Sequence, residues 1–384
     1  MYFKTSEIEL YYEKTGQGEP VVLLHGNGED HTIFDVLVKQ LSPDYTVYAI
    51  DSRGHGKSGK VESLDYNSMM EDVALFIREM GIQKPIMYGF SDGGIIGLLL
   101  AVKYPEMLSK LIISGANTHP DGIKGIHILP MKIVYFFTGS RKNKLMLTQP
   151  CITDAELNAI VTPTLVLAGS KDLIKENHTR NIAKNIPGSV LRILEGESHG
   201  SYVVKSEKLY EIIKIFITIK VREITTADYP LLEQFLYNAI FLPPGIGPLP
   251  RDIIFKPEIF IYIDGFGSKP GDCGVAAEAE GKTIGIAWTR IIPAYGHIDD
   301  ETPELAVSVL PEYRGQGTGT ALLMNLFELL RGRGYSRTSL SVQKENPAVR
   351  LYQRVGYKVL YENEEDYIMI KGLNCMNGIV EKGR

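Results

Sequence analysis

Gly89-Phe90-Ser91-Asp92-Gly93 carries the clearest chemistry in this 384-residue chain. An apolar run, Ile86 to Phe90, precedes Ser91, and an apolar helical run, Ile95 to Ala101, follows it. Ser91 would therefore stand on a sharp strand-to-helix turn, raised above a sheet, and the flanking glycines would permit that turn. A serine hydroxyl needs a base, and the base needs an orienting acid. Asp172, in Gly169-Ser170-Lys171-Asp172, and His199, in Gly196-Glu197-Ser198-His199-Gly200, each follow an apolar run and so fall at strand ends. In that set Ser91 would attack a carbonyl, His199 would move the proton and Asp172 would orient the ring. His25-Gly26-Asn27-Gly28 would supply one oxyanion N–H, from Asn27 beside Gly26, and Asp92 the second. The Asp92 carboxylate has two possible uses: capping the helix that begins near Gly93, or pairing with a cationic substrate group. His25, His55 and His178 are expected in turns, at a strand end or on a helix surface.

A second pattern, from Val307 to Gly319, joins an apolar strand to a long apolar helix. Pro311 breaks the strand, Arg314 stands ahead of the turn, and Gly315, Gln316, Gly317, Thr318 and Gly319 form it. Successive N–H groups at a helix start suit a pyrophosphate, and glycines let phosphates approach the backbone. Asp299, Asp300, Glu301 and Glu304 cluster just before this strand, and Trp288 and Tyr295 are candidates for lining a neighbouring pocket, although a lone tryptophan on a strand is more often a core residue.

Parallel strands flanked by helices would position the first set. Runs at Pro20–Leu24, Thr46–Ile50, Ile86–Phe90, Leu111–Ser114, Thr164–Ala168 and Val190–Leu194 predict buried strands, with helices between them at such places as Ser68 to Met80. Residues 118–161 interrupt this alternation, and Ile128, Met131, Val134, Phe136 and Phe137 predict a small helical insertion there, a cap or lid. A helix from about Lys205 to Ile217 closes the unit, and the pattern restarts near Thr218. From Gly281 the order predicted is strand, strand, helix (318–331), strand, helix (347–355), strand. The tail 374–384 is expected to be loose.

Composition bounds the partners. Hydrophobic residues make up 44% and charged residues 23%, the balance of a globular protein, and the net charge of −5 gives no basic excess for nucleic acid. The longest apolar stretches fall far short of the ~20 residues that span a bilayer, so no membrane partner is expected. The charged start and three unpatterned cysteines predict a cytoplasmic protein with reduced thiols and no metal ligand set.

With these residues in hand, residues 1–217 resemble the α/β-hydrolase superfamily, to which the loop from Asp51 to Ser58 adds a D-x-R-G-x-G-x-S match. The stretch Gly89 to Gly94 is most similar to α-amino-acid ester hydrolases of the valacyclovir-hydrolase type. Residues 218–373 resemble the GNAT acetyltransferase superfamily, on the Arg314–Gly319 loop and the segment Ser339 to Tyr357. The fold class implied is α/β, a mostly parallel sheet with helices on both faces and a short cap, followed by an α+β acyl-CoA N-acyltransferase fold. The second resemblance implies that acetyl-CoA is held by Val307, Val309, Arg314–Gly319 and Asn346, and that Tyr352 protonates the leaving thiolate. Glu304, nearest the strand, is the candidate base for the acceptor amine. The chain is expected to act on small molecules as an ester, amide or thioester hydrolase and an N-acetyltransferase. The alternative keeps one activity, with the other unit a scaffold or acyl-CoA-binding module. No residue pattern specifies an oligomeric state.

Overall fold

Val21 and Leu23 face one hydrophobic cluster while Val22 and Leu24 face another, and all four are buried. A strand with helices on both sides must alternate in this way, which is why its sequence is apolar throughout. The computed structural model describes residues 1–373 apart from Pro244, Ile246 and Glu280, so the expected loose tail 374–384 lies outside the described residues. Two units are distinguished, Met1–Ile217 and the chain from Thr218 onward.

In the first unit the strands are β1 (Tyr2–Lys4), β2 (Glu9–Thr15), β3 (Glu19–Leu24), β4 (Tyr45–Ile50), β5 (Ile86–Phe90), β6 (Lys110–Ser114), β7 (Thr164–Lys171) and β8 (Val190–Ser198). They form one sheet in the order β1-β2-β4-β3-β5-β6-β7-β8. Strands β3 to β8 run parallel, while β1 and β2 are antiparallel. The first two strands were not expected. Glu9–Thr15 is half polar and half exposed, because it lies toward the sheet edge, so it lacks the apolar run that marks its neighbours. Helices α1 (Asp35–Leu41), α2 (Tyr66–Glu79) and α3 (Asp92–Lys103) follow β3, β4 and β5. The insertion contains α4 (Gly125–Thr138), α5 (Arg141–Thr148) and α6 (Asp154–Asn158), and α7 (Glu176–Asn185) and α8 (Lys208–Thr218) complete the unit. Parallel pairing sends the carboxyl ends of β3 and β5 to β8 to one edge. There Lys171 pairs with Ser198, so the next residues, Asp172 and His199, emerge side by side.

The second unit holds β9 (Lys220–Glu223), α9 (Leu231–Ala239), α10 (Pro257–Phe260), β10 (Cys273–Ala279), β11 (Lys282–Arg290), β12 (Glu304–Val309), α11 (Thr318–Gly332), β13 (Arg337–Gln343), α12 (Val349–Arg354), β14 (Lys358–Glu362) and β15 (Asp366–Gly372). Their order is β14-β15-β13-β12-β11-β10-β9. Two strands, not one, follow α12. Every residue of β14 is exposed, so it carries no apolar pattern to announce it. The decisive feature is the parallel pair β12 and β13, which meets at Glu304 and Ser339 and then diverges. That divergence opens the sheet ahead of the glycine-rich turn.

Candidate active sites

Ser91 sits at the head of β5 with φ 52° and ψ −112°, a left-handed backbone that a non-glycine residue adopts only when its surroundings force it. The turn is locked by close approach. A Cβ on Gly89 would lie 2.2 Å from the Gly93 carbonyl oxygen, and one on Gly93 would lie 2.2 Å from the Leu24 carbonyl oxygen. Ser91 Oγ is 3.1 Å from His199 Nε2, and His199 Nδ1 is 2.7 Å from Asp172 Oδ1. Asp172 is 2% exposed and its Oδ1 also accepts the Ile174 N–H. The acid is thereby fixed, the ring is oriented by it, and Nε2 can take a proton from the serine.

The loop after β3 contains a group that no sequence motif marks. The Gly26 N–H donates to Glu29 Oε2 at 3.0 Å, whereas the Asn27 and Asp92 N–H groups meet no protein acceptor among the described residues. Burial raises the Glu29 carboxyl above its ordinary range. Glu29 stands two residues past Asn27, and only the folded loop brings it back over Gly26. Asp92 differs from the capping expectation. It is the first residue of α3, its Oδ1 accepts the Tyr66 hydroxyl at 2.7 Å, and its buried Oδ2 makes no hydrogen bond of good geometry. Burial pushes this carboxyl up to about 6, with the Tyr66 hydroxyl and the Asn27 amide drawing it back. Among the histidines, His25 accepts the Ser52 N–H from within the core, and His178 accepts the Thr118 N–H, so it ties α7 to the insertion instead of facing solvent. Asp30, His31 and Asp51 place ligand-type atoms within 4.8 Å of one another. They are already engaged: Asp51 accepts from His31 and the Lys57 N–H, and Asp30 from Thr32.

In the second unit a cleft of about 520 Å³ is lined by six of the expected residues, Val307, Val309, Arg314, Gly319, Asn346 and Tyr352. Gly315, Gln316, Gly317 and Thr318 lie outside this lining. Gly317 caps α11 with φ +94°, which turns the chain into the helix, while Gln316 and Thr318 direct their side chains to the Glu312 and Tyr313 carbonyl oxygens. Arg314 is held by the Val309 and Asn238 carbonyl oxygens, and Asn346 caps the turn into α12 through the Ala348 N–H. Tyr352 is buried, and burial raises its hydroxyl to about 12. Glu304, outside the cleft lining, is 2% exposed at the point where β12 and β13 part. One of its oxygens accepts the Gly296 N–H at 2.8 Å and the Tyr262 hydroxyl, the other is buried without a partner, and burial raises the carboxyl to about 7. Trp288 is not in the lining of this cleft: it is fully buried and its N–H donates to the Tyr262 carbonyl. Tyr295 is exposed, and Asp299 pairs with Arg337 and Thr302.

Comparison with known families agrees with both geometries. Residues 19–139 match the alpha/beta hydrolase fold model, and residues 240–357 match the acetyltransferase (GNAT) family model. The chain joins an α/β-hydrolase unit to a GNAT unit. Among curated relatives, the human serine hydrolase BPHL is 27% identical over 246 residues, covering 55% of this chain and 83% of the relative. The AB hydrolase superfamily protein YisY of Bacillus subtilis is 26% identical over 264 residues, covering 56% of this chain and 98% of the relative. A solved carboxylesterase of Nitrososphaera gargenis shares the fold, with TM-score 0.51 and 19% identity over 56% of this chain and 97% of that one. Among the described residues of the hydrolase and GNAT units, no helix is long and apolar enough to cross a membrane.

Proposed function

We propose that the hydrolase unit is a serine hydrolase acting on an ester, amide or thioester of a small molecule, and that the GNAT unit transfers acetyl from acetyl-CoA to an amine. The observation that carries the first half is the continuous contact from Ser91 Oγ through His199 to Asp172. His199 takes the serine proton as Ser91 attacks, Asp172 stabilises the imidazolium, and the Asn27 and Asp92 N–H groups receive the developing oxyanion. His199 then gives the proton to the leaving group, and water repeats the sequence to free the acid. Asp92 Oδ2, which makes no hydrogen bond of good geometry, favours substrates that carry an ammonium group near the carbonyl.

In the GNAT unit the parted strands and the α11 N-terminus fit an acyl-CoA, whose pyrophosphate would meet the Gly315–Gly319 N–H groups. Glu304 would accept the proton of the attacking amine, and Tyr352, which stays protonated at neutral pH, would donate one to the thiolate. We place both reactions in the cytoplasm, where the free Cys151 and Cys273 would stay reduced. The test is a fluorophosphonate probe on the full chain, with peptide mapping, alongside thiol release from acetyl-CoA with a panel of amines. Labelling of Ser91 that is lost in Ser91→Ala, together with amine-dependent thiol release, is the expected result. Failure of either half leaves a single activity.

A further inference from the structure

We propose that α4 of the hydrolase cap is an interfacial element that docks the protein on an anionic lipid bilayer. None of its fourteen residues is buried. At ~100° per residue, Ile126, Leu129, Ile133, Phe136 and Phe137 share one face, and that face points outward. Ile126 is 78% exposed, Phe136 82% and Phe137 78%, whereas the opposite positions Ile128 and Met131 are half-buried. A surface helix of a globular protein normally turns its apolar stripe inward. Here the stripe is inverted, and an exposed apolar patch of this kind marks a binding surface.

The charge around the helix selects the occupant. From Gly122 to Thr153 there is no Asp or Glu, while Lys124, Lys132, Arg141, Lys142 and Lys144 all fall in this segment of a chain whose net charge is −5. Apolar side chains whose charged neighbours in this segment are all cations match the boundary of an anionic bilayer, where the rings enter the acyl region and the exposed Lys132 and Lys144 meet headgroups. A second copy of the chain fits less well, because a two-fold contact would set this cationic segment against itself. At ~1.5 Å per residue the helix is too short to span, so it lies on the surface. The cap also touches the site: the Lys142 carbonyl accepts from the Asn27 side chain, and Lys124 donates to the Asp172 carbonyl. Docking through α4 would hold the hydrolase site at the interface, whatever ester it cleaves.

The test is flotation of the full chain with phosphatidylcholine vesicles, with and without phosphatidylglycerol at about one lipid in three, the regime in which anionic headgroups supply the attraction. Wild type is expected to float with the anionic vesicles only, and to be released by high salt. Phe136→Ser with Phe137→Ser, at positions too exposed to affect folding, should lower partitioning about tenfold or more through lost apolar burial. Lys132→Glu with Lys144→Glu should lower it several-fold on anionic vesicles. Absence of wild-type binding, equal binding to neutral vesicles, or unchanged binding in the double serine variant overturns the proposal. So does concentration-dependent self-association that the serine variant abolishes while vesicles bind nothing.

Discussion

Each unit buries one carboxylate beneath a tyrosine hydroxyl: Asp92 beneath Tyr66 in the hydrolase, Glu304 beneath Tyr262 in the GNAT unit. Both leave one oxygen without a hydrogen bond of good geometry, and burial raises both, to about 6 and about 7. Their neighbours differ. Asp92 adjoins Ser91, which already contacts His199, so on the proposed reading the Asp92 charge is free for recognition. Glu304 lies where two strands part, outside the cleft lining, and on the proposed reading its charge is neutralised during turnover. On the proposed reading the same electrostatic setting would serve two tasks, with the surrounding constellation deciding which. A second contrast follows. The hydrolase groups contact one another, as the proposed serine-hydrolase chemistry, which needs no outside group, would require. The GNAT groups line a cleft or bond to nearby backbone, and in the proposed reaction their partner is the cosubstrate.

The largest effect should separate the two units. Ser91→Ala is expected to lower kcat for ester hydrolysis by about four orders of magnitude, the loss typical of a triad member, and to leave acetyl transfer within about twofold. Parallel loss of both activities would break the comparison by making the units interdependent. Glu304→Gln should lower acetyl transfer by about two orders of magnitude, the usual contribution of a positioned base. The sign of its pH dependence is fixed by the ionised form being the proton acceptor: wild-type kcat/KM rises with pH through about 7, and this limb disappears in the variant. A retained limb assigns it to another group. Gly317→Asp places a strained residue and a like charge at the α11 N-terminus, and should weaken acetyl-CoA about tenfold or more by calorimetry while ester hydrolysis is unaffected.

How far these features were legible from sequence depends on whether they are local. Ser91 was legible because the elbow is made by its immediate neighbours, and Asp172 and His199 because each ends a recognisable strand. The GNAT turn was legible for the same reason. Glu29, Tyr66 and Tyr262 were not, since each reaches its partner only through tertiary folding: Tyr66 lies 26 positions from Asp92, and Tyr262 lies 42 from Glu304. Trp288 shows the converse. A lone tryptophan on a strand fits a core or a pocket lining, and the choice is made by α9 and the segment around Tyr262, against which it packs. For α4 the apolar spacing announced a helix but carried no record of which way it faces. Periodicity defines a stripe, and the inward or outward choice belongs to the rest of the fold.

The smallest expected effect sharpens the comparison most, because it asks what the Asp92 charge costs. Its carboxyl is raised from 3.8 to about 6, so the folded state holds this proton more tightly than the unfolded chain does. The associated stability is fully present below pH 3.8 and is lost as pH rises through about 6. Asp92→Asn keeps an oxygen to accept the Tyr66 hydroxyl and removes the charge. The variant should therefore match wild type near pH 3.5 and exceed it at pH 8, by no more than about 3 kcal/mol, since each pKa unit is worth ~1.4 kcal/mol. Thermal melts at the two pH values measure this directly. Stabilisation should come with a functional loss: the preference for an amino-acid ester over its uncharged isostere, in kcat/KM, should fall in Asp92→Asn. A carboxylate retained at a cost to stability is one whose charge is used. Stabilisation without loss of that preference would make Asp92 a burden with no role in recognition, and the resemblance in setting to Glu304 would then be one of burial alone.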